Sequence, residues 1–456
     1  MKLRNRALNA HPATMVLASF LLAITLGTFL LKLPVSTKGG NIPLVDALFT
    51  ATSAVCVTGL VVVDTGSYFT TFGQCVILAL IQIGGLGVMT ISVALFRWIG
   101  RGISFRQRMV MQDLFAHTPR EDIFNLIKST VFFTLSAEFL GGVLLSVHWS
   151  RELPLSQAVY TALFHSVSAF CNAGFSLFSD SMLRYSDNPL INSTVCSLII
   201  AGGIGFPVLY DLRSWLRRRN NHRQRLLIQT KTVLLTSLVL IVAGALMYAF
   251  MERHALLTTR SISHWVFTPI FQSITCRTAG FNTANIAALR EATLAMMIFL
   301  MFFGASPGSC GGGVKTTTLA LIAAFSLSRV TRKRRVNMFK KTIPRETVTR
   351  SVSLILVSIG IIGVVLFMLL LGDTAIGLEE SGKRASFLAY FFETVSAFGT
   401  VGLSMGVTPD LTTWGKCWII FMMIIGRVGV LTFSYIIAGT EATRGVEYSE
   451  ENLMIG

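Results

Sequence analysis

Charge is scarce in this chain of 456 residues: Asp, Glu, Lys and Arg together make up 13% of it, about half the share of an ordinary soluble domain. With 52% apolar residues beside that scarcity, a single water-soluble core is excluded. Cysteine is sparse and badly spaced for metal. The seven thiols (Cys56, Cys75, Cys171, Cys196, Cys276, Cys310, Cys417) include no CxxC pair, and most stand in apolar runs, where free cysteine acts as a small hydrophobe. Cys56, Cys171 and Cys276 sit just before glycine turns, where a metal cluster is conceivable and wall packing is the simpler reading. No small-residue cleavage site follows the apolar start at Ala13, so that stretch reads as a retained helix rather than a leader.

What is present is length of apolar run. Ala13–Leu31, Phe72–Phe96, Thr232–Met251 and Ser351–Gly372 carry no charged side chain, and roughly 20 such residues cross a bilayer. The net charge of +17 does not point to nucleic acid, because the basic residues crowd into alternate loops. Lys2/Arg4/Arg6, Arg97–Lys128, Arg213–Lys231, Arg329–Arg350 and Arg444 hold about 26 of the 39, with roughly 11 on the other side. This asymmetry predicts a multi-pass protein of the cytoplasmic (inner) membrane with both termini in the cytoplasm. The runs Arg217-Arg218-Arg219 and Arg332–Arg335 meet anionic headgroups on this reading.

Four stretches are near copies: Ala47–Leu60 (ALFTATSAVCVTGL), Ala162–Phe175 (ALFHSVSAFCNAGF), Pro269–Phe281 (PIFQSITCRTAGF) and Tyr390–Leu403 (YFFETVSAFGTVGL). Each closes on a glycine: Gly59, Gly174, Gly280 and Gly402, 106–122 residues apart. The expectation is an all-α integral membrane protein of four tandem helix–pore loop–helix repeats, eight spans around one pseudo-fourfold pore. The repeats are residues 1–110, 111–225, 226–340 and 341–456. First helices are expected at about 13–33, 129–149, 231–252 and 347–372. Half-length segments fall at 43–56, 156–170, 261–276 and 383–398, and second helices at 72–97, 189–216, 290–328 and 413–438. The half-length segments are too short to span and fit re-entrant helices lining water.

A second motif lies midway along the second helices: Gly84-Gly85-Leu86-Gly87, Gly202-Gly203-Ile204-Gly205, Gly312-Gly313-Val314-Lys315 and Gly426-Arg427-Val428-Gly429. The third copy alone is preceded by an insertion, Gly304, Ala305, Ser306, Pro307, Gly308, Ser309, Cys310 and Gly311. Glycine at that density with a proline cannot stay helical, so a break is expected in the third second helix, while close helix packing accounts for the glycines of repeats one and two. Lys315 and Arg427 are cations in or near the membrane, where a partner or a watery cavity is required. On this pattern the gate belongs to repeats three and four.

A ring of carbonyl oxygens can replace the water shell of potassium, and glycine permits the backbone angles that aim them. Val57-Thr58-Gly59, Asn172-Ala173-Gly174, Thr278-Ala279-Gly280 and Thr400-Val401-Gly402 are the candidate filter residues, at helix C-termini whose dipoles favour a cation. Arg277 is expected to turn behind the filter and brace backbone or a carboxylate, with Glu393 as candidate partner. Glu138 reads either as a structural carboxylate or as an ion site.

At these residues the chain resembles the Ktr/Trk/HKT potassium transporters, over essentially its whole length, and one helix ahead of Gly59 points to the Ktr type. The resemblance implies potassium uptake. It makes Gly59, Gly174, Gly280 and Gly402 the selectivity glycines, Gly304–Gly313 a gate loop and Arg427 its contact. Sodium stimulation, a homodimer and a cytosolic RCK-type nucleotide-binding ring (KtrA) are further implications; no bound cofactor is expected. Where the family often has Thr-Ala, this chain has Cys310-Gly311. An enzyme is not expected. Gly308–Thr316 (GSCGGGVKT) misses the phosphate-loop pattern because Val314 separates Gly313 from Lys315. The rival reading is a sodium- or proton-coupled symporter. The acidic tail (Glu441, Glu447, Glu450, Glu451) reads as a dimer contact or a disordered end.

Overall fold

The computed structural model describes residues 12–87, 123–217, 226–258, 262–333, 335–375 and 386–430. The basic N-terminus, most of the Arg97–Lys128 loop, Arg218, Arg219, Arg334, Arg444 and the acidic tail lie outside these residues, as do the expected ends of the first and fourth second helices.

The order long helix, half-length helix, turn, second helix recurs four times. Unit one has α1 (Pro12–Lys32), α2 (Leu44–Val55) and α3 (Thr71–Leu86). Unit two has α4 (Ile123–Trp149), α5 (Leu155–Phe170), α6 (Pro189–Gly203) and α7 (Phe206–Arg217). Unit three has α8 (Ile228–Met251), α9 (Ile262–Thr275), α10 (Glu291–Phe302) and α11 (Thr316–Val330). A two-stranded hairpin, β1 (Asn337–Met338) and β2 (Lys341–Thr342), leads into unit four: α12 (Arg345–Ala375), α13 (Phe387–Gly399) and α14 (Thr413–Val428).

Distribution of side chains is inverted relative to a soluble domain. Leu135 and Phe139 on α4, Leu238 and Phe250 on α8, and Leu356 and Phe367 on α12 are exposed, whereas His165, Ser166, Ser168, Thr275, Thr394 and Ser396 are buried. Apolar outside and hydroxyl-rich inside is the arrangement of a protein solvated by lipid. Among the described residues, Ile127–Trp149, Ile228–Met251 and Arg345–Gly372 are long and apolar enough to cross a membrane, and the bent pair α6–α7 makes a fourth.

The units close on themselves in one direction. The second helix of each packs on the half-length helix of the next: α3 on α5, α6 on α9, α10 on α13 and α14 on α2. The last contact joins the two ends of the chain and carries an ion pair, Lys416 Nζ to Asp46 Oδ1 at 2.7 Å, with both side chains only 15% exposed. N-caps start several elements cleanly. Thr70, Ser386 and Thr412 hydroxyls accept from the third residue beyond them, and the Asn188 carboxamide accepts from Leu190 and Ile191.

One expectation needs correction. The break assigned to unit three alone also occurs in unit two, where α6 and α7 are bent by 96° across Ile204-Gly205. Gly205 takes φ +100° there, open to glycine and closed to most residues. Close packing is present too, since a Cβ on Gly202 would strike the Phe170 carbonyl.

Removing one partner of the closing ion pair should be costly, because the other charge stays largely buried. Lys416→Met is expected to lower the thermal midpoint in detergent, with the Asp46→Asn/Lys416→Met double variant losing less than the sum of the singles. A double-mutant cycle should return a coupling of about 1–3 kcal/mol; strictly additive losses would remove the pair from ring closure.

Candidate functional site: a ring of four turns above an inserted loop

The four half-length helices point their C-termini at one place. Directly after each, a residue with positive φ is followed two positions later by a glycine with positive φ: Val57 (57°) and Gly59 (90°), Asn172 (59°) and Gly174 (70°), Thr278 (76°) and Gly280 (80°), Thr400 (49°) and Gly402 (89°). Left-handed backbone is uncommon for any residue with a side chain and rare for a β-branched one, so three of these four positions are held under strain by their surroundings. The residues between, Thr58, Ala173, Ala279 and Val401, donate their N–H groups backwards to Ser53, Ser168, Thr275 and Ser396 carbonyls at 2.8–2.9 Å.

Their carbonyls form a closed circuit with the glycines. A Cβ added to Gly59 would meet the Ala173 oxygen, one on Gly174 the Ala279 oxygen, one on Gly280 the Val401 oxygen, and one on Gly402 the Thr58 oxygen. Each glycine is therefore required by the next turn's backbone, in the same sense as the helix packing. The side chains of this ring contribute nothing equivalent to one another; the backbones do.

A hydroxyl column behind the ring was not used in reading the sequence. Ser53 accepts from Gly59 N–H and Ser396 from Gly402 N–H, both at 3.1 Å. Ser168 and Thr275 instead donate to the Phe175 and Phe281 carbonyls, at 2.8 and 2.6 Å. The signal was available, since a Ser or Thr recurs in every copy of the motif. In unit three the column shifts by one residue because α9 reaches its turn one residue sooner. The back-bond there spans four residues, Ala279 to Thr275, where the others span five.

The mouth of the ring is a cavity of about 180 Å³ lined by Gly59, Gly174, Gly280 and Gly402 together with Asp64, Ser179 and Ser404. Among the described residues no Lys or Arg lines it. Partial burial raises the pKa of Asp64, but hydrogen bonds from Ser67, the Ser179 hydroxyl and the Gly66 N–H outweigh it, so the carboxyl is held below its ordinary value and is ionised at neutral pH.

On the opposite side of the ring lies the inserted loop between α10 and α11. Its backbone is bonded to the broken ends of its neighbours. Ser306 and Cys310 N–H groups donate to Gly203 and Gly202 carbonyls at 3.1 and 3.2 Å, Gly313 to Gly426 at 3.3 Å, and Val314 to Phe302 at 3.2 Å. In return the Gly308 carbonyl accepts from Phe206 N–H at 2.9 Å. It touches the ring itself where Gly312 N–H donates to Thr400 Oγ1 at 2.8 Å. With its carboxamide nitrogen donating to Ala169 and Ile199, Asn172 accepts from the Thr278 hydroxyl at 3.2 Å.

Gly304, Ala305, Ser306, Pro307, Gly308, Ser309, Cys310, Gly311, Gly312 and Gly313 thus form one connected body between ring and helix ends. Ser309 donates to the Ser306 carbonyl at 2.7 Å, and Thr316 to the Ser306 hydroxyl at 3.2 Å. The two cations clamp it. Lys315 Nζ reaches the Gly311 and Gly312 carbonyls at 2.8 and 3.3 Å. Arg427 donates to the Cys310 carbonyl with one nitrogen and to the Gly84 carbonyl with the other. Gly84 belongs to unit one, which Arg427 ties to the loop, while the loop itself bonds to unit two as well as unit four; the expectation that it concerns units three and four is too narrow.

The other residues that the sequence singles out are placed as follows. Arg277 does turn behind the ring, but its partner is Ser237 on α8, reached at the hydroxyl (3.0 Å) and the carbonyl (3.4 Å), not Glu393. Glu393 accepts from the Thr408 hydroxyl, and its Oε2 has no partner among the described residues. Glu138 accepts from Gln82 Nε2 at 3.2 Å, beside the Cys171 thiol at 3.9 Å. Among the described residues no three His, Cys, Asp or Glu side chains group as a metal site, and Cys56, Cys171 and Cys276 are wall residues, 0–1% exposed.

A lipid-facing helical wall around a closed ring of backbone turns, with a clamped loop beneath, is the architecture of an all-α membrane transport protein. The chain belongs to the TrkH family of cation transport proteins, whose family model matches residues 2–441. Members of this family are ion transporters, not enzymes. The Ktr system potassium uptake protein B of Vibrio alginolyticus is 40% identical over 457 aligned residues, covering 99% of this chain and 96% of that protein. The protein of the same name from Bacillus subtilis is 37% identical, covering 98% and 97%. The potassium/sodium uptake protein NtpJ of Enterococcus hirae is 36% identical, covering 98% and 97%. The crystal structure of the potassium transporter TrkH from Vibrio parahaemolyticus has the same fold, with a TM-score of 0.70 at 19% identity over 95% of this chain and 86% of that one.

If the Arg427 clamp holds the loop, Arg427→Gln leaves the Cys310 and Gly84 carbonyls short of a charged donor, a loss of about 1.5–3 kcal/mol. Cys310, buried in the native protein, is then expected to alkylate with a membrane-permeant maleimide at least tenfold faster, read by mass spectrometry. Unchanged labelling would show the loop is held without the clamp.

Proposed function

We propose that this chain conducts potassium inward across the cytoplasmic membrane, selecting it with the ring of four turns. The observation that carries the reading is the glycine-to-carbonyl circuit. It presents backbone oxygens from four units around one axis, the chemistry that replaces a potassium ion's water shell. The C-terminal ends of four half-length helices add negative potential at the same point. An ionised Asp64, at a mouth where no Lys or Arg stands among the described residues, raises the local concentration of the incoming ion. The names of the Vibrio and Bacillus relatives as potassium uptake proteins support the choice of ion.

In this reading Val57, Thr58, Gly59, Asn172, Ala173, Gly174, Thr278, Ala279, Gly280, Thr400, Val401 and Gly402 form the selectivity filter. The four repeats bring eight crossings, with both termini and the basic loops in the cytoplasm. The membrane potential drives uptake by about 2.3 kcal/mol per charge per 100 mV. Gly304–Gly313 is the gate, closed by Lys315 and Arg427, and it opens when α11 and the helix ends around it move apart. Its contacts to units two and four, and through Arg427 to unit one, make it sensitive to each of them. A cytosolic RCK-type nucleotide-binding ring (KtrA) on a homodimer of this chain would supply that movement; the description of relatives as components of a Ktr system supports a separate regulator. Sodium stimulation fits the potassium/sodium designation of the Enterococcus relative.

Purified protein in liposomes is expected to pass potassium and rubidium well ahead of sodium, with flux following the potassium gradient in the absence of any sodium or proton gradient. Strict dependence on a second ion's gradient would replace the channel reading with a symporter. Two variants separate the parts. Lys315→Met should raise basal flux several-fold while leaving the potassium-to-sodium ratio intact; a collapsed ratio at unchanged flux would remove the loop from gating. Asp64→Asn should lower flux at low potassium and low ionic strength, with the difference vanishing at high salt where the charge is screened. Because Asp64 is held below the ordinary carboxylate pKa, its contribution should stay constant from pH 8 down to about pH 5.

A further inference from the structure

Away from the ring, at the end of α11 and the start of α12, lies a cavity of about 490 Å³ with three arginines at its edge, Arg329, Arg335 and Arg345. Its floor is apolar. Val336 and Val348 are buried there with Leu321 in a small separate core, against which Phe325 and Ile343 pack. The wall is built rather than incidental. Phe339 and Lys340 take φ of 48° and 64°, the paired left-handed angles of a tight hairpin turn, and Ile343 N–H donates to the Val336 carbonyl at 2.9 Å. This folds the hairpin against the two helices and brings Arg335 to the cavity that Arg329 and Arg345 also line.

Among the described residues the three guanidiniums face no carboxylate. The acid next in sequence, Glu346, is taken by Arg350 at 2.6 Å, and among the described residues none of Arg329, Arg335 or Arg345 has an ion-pair partner. Arg329 lies over the Phe325 ring at 5.0 Å, which holds its planar head at the cavity edge. The first turn of α12 adds the unpaired N–H groups of a helix N-terminus on the same side. A cationic edge over an apolar floor is the profile of an amphiphile with an anionic head.

We infer that this cavity binds an anionic glycerophospholipid, with its phosphate on Arg329, Arg335 and Arg345 and an acyl chain in the groove between α11 and α12. Position selects a lipid over a soluble phosphate. α12 is one of the membrane-length helices, its Arg345 end therefore stands at a headgroup level, and the floor continues onto side chains exposed along the same two helices, Leu327 and Val330 on α11 and Leu356 on α12. Phe339, 43% exposed at the hairpin tip beside Lys340 and Lys341, supplies the aromatic and basic pair that settles at such an interface. A lipid held here would join α11, which carries the gate loop at its other end, to the outer wall helix of unit four. The inference rests on the membrane reading of α12 and not on which ion is transported.

Native mass spectrometry of the full chain, titrated with phosphatidylglycerol or phosphatidylcholine, tests it without any flux measurement. Wild type should retain phosphatidylglycerol at one more site per chain than phosphatidylcholine. The exposed-residue variant Arg329→Gln/Arg335→Gln/Arg345→Gln should bind that lipid about a hundredfold more weakly, each charge near an anionic headgroup contributing roughly fivefold. The corresponding triple lysine variant should recover most of the binding, which a merely structural role for the arginines would not produce. Arg184→Gln, at a surface ion pair with Asp180, serves as the unaffected control. Equal retention of both lipids, or equal retention by the glutamine variant, would overturn the inference. Displacement by millimolar glycerol phosphate or inorganic phosphate would also overturn it, by showing a site for a soluble anion.

Discussion

Backbone polar groups at membrane depth must be bonded where they stand, because no water is there to take them. Interrupting helices inside the protein breaks that rule locally, releasing carbonyls at each C-terminal end. The architecture follows from how these are spent. One set, at the ends of the half-length helices, is taken by the N–H groups of Thr58, Ala173, Ala279 and Val401, which folds the turns into the ring. The other, at Gly84, Gly202, Gly203 and Gly426, is capped by the N–H groups of a single inserted loop and by the guanidinium of Arg427. The same physical deficit thus makes both the ring and the structure that lies against it.

Fourfold order holds for backbone and fails for side chains. The turns share their dihedral pattern, their back-bonds and their sense of packing, while the residues in them run from valine to asparagine. Unit three departs most. It lacks one residue before its turn, puts Arg277 into the turn's base, and carries the loop. These belong together: Arg277 ties the shortened turn to α8 through Ser237, so the unit that holds the loop is also the one anchored to its own outer wall.

Much of this was legible in the sequence because it rests on periodic and compositional features. The limits of α2, α5, α9 and α13 fall within a few residues of those expected from the copies, and the break around Gly304–Gly313 is forced by glycine and proline alone. The break at Ile204-Gly205 was not legible, since GGIG there is spelled almost as in an unbroken packing motif, and what demands glycine at 205 is the Pro307 carbonyl of the next unit, which a Cβ would strike. The partner of Arg277 was missed for a related reason. A buried arginine needs acceptors, and Glu393 is the conspicuous one by charge, but a serine one wall away satisfies it by position. The hydroxyl column at Ser53, Ser168, Thr275 and Ser396 was visible in the copies and hidden by the shift of one residue in the third.

The circuit has four joints, and three are bridged by covalent chain. The fourth, α14 on α2, is sealed by packing and by a pair whose members lie 370 residues apart. During synthesis, three units can assemble into a trough with an unpaired side, its strained turns lacking the neighbour that each glycine is shaped to receive. The axis comes into existence when the last unit docks against the first. Long-range closure of this kind is slow to find, and because its last joint needs unit four, the ring can be complete only once the whole of the fourth turn and α14 has been made.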